Sequence, residues 1–186
     1  VNTILVMAPF RSKRILLITN VESGELNVFL AVAQSMRDAD ITVDLHLATT
    51  PGFQDDVPEG ATYHQINGIP VMQAVKDRFN HQQDGVNLPM SFAKPPGFSN
   101  TRRAIRDAAA VFMPYTGRQM VDLFTSVVNI INEVQPDLVV VNSLMAAGLT
   151  ACYHLDVKFI CLSPNSIKEF AASEQPRAAG FWKFPA

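Results

Sequence analysis

Cysteine is scarce: only Cys152 and Cys161 occur in 186 residues. They belong to no CxxC pair and have no CxxH nearby, which excludes the common zinc arrangements. Both sit in apolar sequence and are expected to be reduced core thiols, consistent with a cytoplasmic protein. Charge of one sign is lacking too. Fifteen Lys and Arg stand against 17 Asp and Glu, a net charge of −2. No basic field is present to hold nucleic acid or an anionic membrane. The groups Arg11, Lys13, Arg14 and Arg102, Arg103, Arg106 read as solvated faces. No apolar run approaches the roughly 18 residues of a membrane span. Glycine numbers nine, and neither GxGxxG nor GxxxxGK[ST] occurs, so the usual phosphate cradles are missing. No two histidines are spaced for a metal, and no metal or cofactor is expected.

What remains is a globular composition, 48% hydrophobic and 17% charged, of a length that suits one domain. Residues 1–13 read as an extension. Their apolar opening, Val1 to Phe10, has its charges behind it, the reverse of a secretory leader. Arg14–Thr19 is a continuous apolar run, as in a strand buried on both faces. Glu25–Asp38 follows with helical spacing of Leu26, Phe29, Leu30, Ala33 and Met36, and Ser23 or Asn20 is placed to cap it. Thr42–Ala48 alternates as a second strand, Gly60–Ile66 is a weaker third, and Val71–Phe79 a short helix. His81–Gly97, with its prolines, reads as a long loop. Thr101–Val134 is helical with a break near Met113-Pro114. Asp137–Val141 is the clearest buried strand, Leu144–His154 a helix, Lys158–Leu162 a strand and Ser166–Ala172 a short helix.

Strands alternate with helices and the best strands are apolar throughout. The pattern predicts an α/β fold, a Rossmann-like parallel sheet with helices on both faces. Ligands of such sheets lie beyond the carboxyl ends of the strands. Three segments stand there: Asn20–Glu25, Asn142–Leu144 and Ser163–Ser166.

The unit Arg14-Ile-Leu-Leu-Ile-Thr-Asn-Val-Glu-Ser-Gly-Glu-Leu-Asn-Val-Phe-Leu-Ala-Val-Ala33 resembles the opening of family 1 UDP-sugar glycosyltransferases, which place Gly-His-x-x-Pro after their first strand. Pro136 to Asn165 (PDLVVVNSLMAAGLTACYHLDVKFICLSPN) resembles their later strand–helix–strand unit. The closing Gln175-Pro176 and Trp182-Lys183-Phe184-Pro185 resemble fungal members. The resemblance implies the amino-terminal, acceptor-binding half of a GT-B enzyme. Residues 14–174 would form that domain, and residues 175–186 a tail leading to a donor-binding half. The enzyme would transfer a hexose from a UDP-sugar, a co-substrate bound mainly by the other half, to a hydroxyl of a small lipophilic acceptor with inversion. This chain alone would then be inactive, and its open face would meet that second half or a further copy in a homo-oligomer.

The family's base is a histidine after the loop glycine, oriented by an aspartate after the later strand. Here Glu25 follows Gly24, and Asn142 follows Val141. Glu25 is the candidate base or acceptor anchor and Asn142 its orienting partner. An asparagine holds a hydrogen bond but cannot balance an imidazolium. Burial would have to raise the pKa of Glu25, against a helix dipole that favours the carboxylate. A first-turn carboxylate complementing that dipole is the competing reading. Asn20, Ser23 and Gly24 would border the site, and Ser143, Asn165 and Phe92 the acceptor pocket. Phe92 and Phe98 are preferred to Phe112–Tyr115 as pocket aromatics. His46, His64, His81 and His154 read as structural or solvated, although His64 or His81 would replace the base if folding brought it to Glu25. Loss of both dyad residues motivates an alternative, a non-catalytic small-molecule-binding pseudoenzyme subunit. A flavodoxin-like nucleotide-binding module is a third, against which the bare Asn20–Glu25 loop argues.

Overall fold

The computed structural model describes residues 12–39, 42–54, 57–79, 89–95 and 97–164. Five parallel strands form one sheet in the order β3-β2-β1-β4-β5. They are β1 (Lys13–Ile18), β2 (Val43–Thr49), β3 (Ala61–Gln65), β4 (Leu138–Asn142) and β5 (Phe159–Leu162). The helices are α1 (Ser23–Asp38), α2 (Val71–Phe79), α3 (Phe98–Phe112), α4 (Gly117–Val134) and α5 (Ala146–His154), and a 3-10 turn spans Met90–Ala93. The predicted α/β Rossmann-like sheet is the observed one, and most element ends fall within a residue or two of the expected ones. The expected helix Ser166–Ala172, His81 and the tail lie outside the described residues.

The apolar strands are covered on both sides, which is why they do not alternate. On one face Leu16, Ile18, Val139 and Val141 pack against Leu123, Val127, Ile130, Ile131 and Val134 of α4 and Ala147, Ala151 and Cys152 of α5. On the other, Leu17, Leu47 and Val140 pack against Leu26, Phe29 and Ala33 of α1. Each fully buried aliphatic side chain of this kind contributes about 1.5–3 kcal/mol. Helix α5 lies close to the sheet because residue 148 is glycine: an added Cβ would stand 2.9 Å from Val141 Cγ2.

Local chemistry sets the ends. Thr116 and Gln119 form a reciprocal capping box at the start of α4. That helix stops at Gln135 in the left-handed region (φ 50°), just before Pro136. The start of α1 corrects an expectation. Neither Ser23 nor Asn20 caps it; Glu22 occupies the cap position without a side-chain capping bond, because Asn20 is committed to Glu25. Cys152 is buried as expected, and burial pushes its thiol up to about 11. Cys161 is exposed, because β5 pairs with β4 alone among the described residues and only part of it is covered. Among the described residues, no helix is long and apolar enough to cross a membrane.

Candidate functional site

The sheet order reverses direction between β1 and β4, the place where a parallel sheet leaves a crevice beyond its carboxyl ends. Buried polar residues fill the floor of that crevice: Thr19 and Asn20 after β1, and Asn142 at the end of β4. Glu25, in the first turn of α1, reaches down to them. Its Oε2 accepts from Asn20 Nδ2 at 2.6 Å and from Asn142 Nδ2. Asn142 Nδ2 also donates to Thr19 Oγ1 at 3.0 Å, and Asn142 Oδ1 accepts the Leu144 amide at 2.9 Å. Two segments distant in sequence, 19–25 and 142–144, are thus tied through one asparagine.

The carboxyl group of Glu25 has its pKa raised above the ordinary 4.5. Burial is the main cause, opposed by the hydrogen bonds from Asn20 and Asn142 and supplemented by the charge of Glu22. Desolvation therefore outweighs the amide donors. The direction is the one a general base needs to work nearer neutral pH.

Above this floor lies a cavity of about 300 Å³, at the lower end of the range for small-molecule sites. Asn20, Glu22, Gly24 and Glu25 form its polar end. Val71 and Met72 of α2 line one wall, and Met120 and Leu123 of α4 another. The start of α5 supplies Met145, Ala146 and Ala147. Val111, Phe112, Met113 and Tyr115 complete the enclosure, brought over the cavity where Pro114 interrupts the α3–α4 run. The Tyr115 hydroxyl donates to the Ile69 carbonyl at 3.3 Å, and its pKa is raised well above the ordinary phenol value by burial and then by Glu22 and Glu25. Glu22 Oε1 accepts the Met72 amide at 2.9 Å, which fixes α2 beside α1.

The structure brings Glu25, Asn142, Asn20 and Gly24 together. Ser23 is exposed and is not in the cavity wall. Ser143 adjoins the floor without lining the cavity; its amide donates to the Leu162 carbonyl, and its buried Oγ has no partner among the described residues. Asn165 lies outside the described residues. The structure does not bring Phe92 to the cavity. That ring is 45% exposed in the 3-10 turn, and Phe98 is 90% exposed at the start of α3. Before α3, Asn100 Nδ2 donates to the Pro95 carbonyl, and Phe112, Met113 and Tyr115 line the cavity where Phe92 and Phe98 were expected. Met72, Met120 and Glu22 were not legible as walls, since helical spacing marks them equally as packing or as first-turn charge.

The histidines gather elsewhere. His46 Nδ1 and His64 Nε2 are 2.9 Å apart across β2 and β3, and His46 Nε2 is 3.3 Å from Asp44 Oδ1. Neither histidine lines the cavity. His154 ends α5 with its ring edge-on to Phe124. Among the described residues, no group of three or more His, Cys, Asp and Glu is placed to hold a metal ion.

No family model matches the chain, and no curated protein does. Solved structures do match. Glycosyltransferase SsfS6 of Streptomyces sp. SF2575, complexed with thymidine diphosphate, superposes with a TM-score of 0.56 at 14% identity, over 81% of this chain and 38% of that one. SnogD from Streptomyces nogalater gives 0.53 at 17%, over 82% of this chain and 35% of that one. CalG4, the calicheamicin glycosyltransferase, gives 0.51 at 18%, over 91% and 39%. The fold matches the amino-terminal half of GT-B glycosyltransferases. At this identity the likeness is one of fold, and the chain spans well under half the length of the proteins it matches.

Proposed function

We propose that this chain is the acceptor-binding half of a nucleotide-sugar-dependent glycosyltransferase. One observation carries the reading: a half-buried carboxylate with a raised pKa, held by two amides at the sheet's switch point, stands at the polar end of an otherwise apolar cavity. The fold supports the class, the sequence resemblance supports a family 1 UDP-sugar enzyme of fungal type, and the two free cysteines support a cytoplasmic location. An acceptor hydroxyl would lie against Glu25. As its oxygen forms the bond to the anomeric carbon, Glu25 takes its proton and UDP departs from the opposite side, inverting the centre. Asn20 and Asn142 hold the carboxylate in place, and Gly24 leaves room beside the sugar. Phenols suit this site best, because an already acidic hydroxyl asks least of a carboxylate base. The UDP-hexose would be held by a second half, as another chain or a further segment.

The test combines assembly with turnover. Intact mass and light scattering identify any second polypeptide that co-migrates. With the donor-binding half present, UDP release on adding a phenolic acceptor is expected, and Glu25→Ala lowers the rate by roughly 10²–10⁴. An unchanged rate removes Glu25 from the role of base. A second reading rests on the same oxygen: two amides already occupy Glu25 Oε2, which suits an anchor in a non-catalytic binding subunit. It predicts acceptor binding with no UDP release.

A further inference from the structure

Helix α3 turns its largest apolar side chains outward. Phe98, Ile105 and Phe112 recur every seven residues, close to two helical turns, and each is at least 66% exposed. The helix rests on the protein through Ala104, Ala108 and Val111, which are half-buried. The outer stripe is about 21 Å long at 1.5 Å per residue. Basic residues gather beside it. Residues 92–113 hold Lys94, Arg102, Arg103 and Arg106 against Asp107 alone, a local charge of +3 in a chain of net −2. Arg102 stands four residues after Phe98 and three before Ile105, and Arg106 lies one turn further on, so the two cations border the stripe. Among the described residues none of these four basic side chains has an ion-pair or hydrogen-bond partner. Arg14, Arg37 and Arg78, by contrast, are all engaged by protein oxygens. From sequence the α3 arginines read as a solvated face. They are solvated, and the fold sets them along an uncovered apolar stripe. Exposed phenylalanine and isoleucine on one side and free arginines at the border are the make-up of a helix that lies in a lipid headgroup layer.

We propose that α3 docks on the surface of an anionic phospholipid bilayer, with Phe98, Ile105 and Phe112 among the headgroups and the arginines against their acidic groups. The proposal goes beyond the transferase reading and stands without it. A second copy of the chain is the poorer occupant, because a two-fold contact through this face sets arginines against arginines. Phe112 also belongs to the cavity wall. Docking therefore joins the cavity to the bilayer, which suits a lipophilic ligand that partitions into lipid.

The test is sedimentation of the 186-residue chain with vesicles of phosphatidylcholine alone and of phosphatidylcholine and phosphatidylserine in equal parts. Binding to the mixed vesicles is expected to be at least about tenfold tighter than to phosphatidylcholine, and to weaken as salt is raised. Two variants confined to exposed side chains, which cost the fold little, divide the contributions. The triple variant Arg102→Gln, Arg103→Gln, Arg106→Gln should bring the two vesicle types to within about twofold of each other. The double variant Phe98→Gln, Ile105→Gln should weaken binding to the mixed vesicles by about tenfold while keeping the native Tm. No sedimentation with either vesicle overturns the proposal, and so does binding that both variants leave unchanged. Equal binding of the native chain to the two vesicle types overturns the choice of an anionic surface. A dimer in light scattering that the double variant abolishes overturns the proposal in favour of a second copy. Loss of sedimentation on adding a donor-binding half overturns it in favour of that half as the cover. None of these results bears on Glu25, whose turnover test stands apart.

Discussion

Two polar clusters of the described residues sit on this one sheet, and one of them lines the cavity while the other does not. At the β1–β4 crossing, Glu25, Asn20, Asn142 and Thr19 form a connected network at the polar end of the cavity. At the β2–β3 crossing, His46 and His64 bond to each other with Asp44 beside them, away from any part of that cavity. Residue types alone favour the second as a catalytic group, since histidine is the commonest general base. Topology favours the first, because only the β1–β4 junction is a switch point. Their titrations also differ in sign. Burial raises the pKa of Glu25, whereas burial first and His46 second lower that of His64. Glu25 therefore withdraws stability as pH rises past its ordinary value, and His64 withdraws it as pH falls below its own.

The largest expected effect breaks the first cluster. Asn142 is fully buried and serves Glu25, Thr19 and the Leu144 amide at once. Asn142→Ala leaves several buried polar groups without partners, at a cost of about 2–4 kcal/mol. Urea unfolding at neutral pH measures it. A loss below about 0.5 kcal/mol, the size of an ordinary surface change, would show that the network is not structural.

The next two predictions sharpen the difference in sign. Between the ordinary 4.5 and its raised value, native Glu25 binds more protons than the unfolded chain does, so stability falls as pH rises through that window. Glu25→Gln removes the titration. Its Tm relative to the native chain should rise from about pH 4.5 upward and return to parity in more acid solution. A gap that instead opens on acidification would place Glu25 among ordinary paired carboxylates. For His64 the unfolded chain binds the proton more readily, so the native protein loses stability as pH falls below 6.5 toward the lowered value. His64→Gln should flatten that acid limb and leave Tm above neutrality little changed. An unaltered acid limb would mean that the imidazole pair carries no proton linkage.

Much of the fold was readable because its strands are extreme. The segments Arg14–Thr19 and Asp137–Val141 are apolar without alternation, which only a sheet covered on both faces explains. Helix α4 declared itself by spacing and by Pro136. The pairing of Glu25 with Asn142 rested on a family resemblance, since 117 residues separate them and periodicity says nothing about that distance. The aromatics around the cavity differ from the expected ones for a physical reason. Prolines around Phe92 and Phe98 suggested a shaped loop, but the proline that matters is Pro114, which turns the chain so that Phe112, Met113 and Tyr115 close the cavity. Helix α3 shows the same limit. It has a clear apolar stripe and yet buries no residue, while α4, equally amphipathic, buries six. Amphipathicity names the face that wants cover, and only tertiary contact says whether it is covered.

The smallest effect separates space kept for folding from space kept for a ligand. Gly148 is required by packing, since a Cβ there meets Val141. Gly24 is not: a Cβ built on it has nothing within 4 Å, and it belongs to the first turn of α1 rather than to a left-handed bend. Gly24→Ala should therefore leave the fold intact and raise stability by at most about 0.4–1 kcal/mol, through reduced freedom of the unfolded chain. Gly24 nevertheless lines the cavity beside Glu25. If its bare backbone leaves room for the sugar, the same methyl group should slow UDP release in the complete enzyme while Tm holds or rises. Stability and turnover moving in opposite directions would identify the gap as a functional one. Unchanged turnover would confine the site to the Asn20–Glu25–Asn142 floor and remove Gly24 from it.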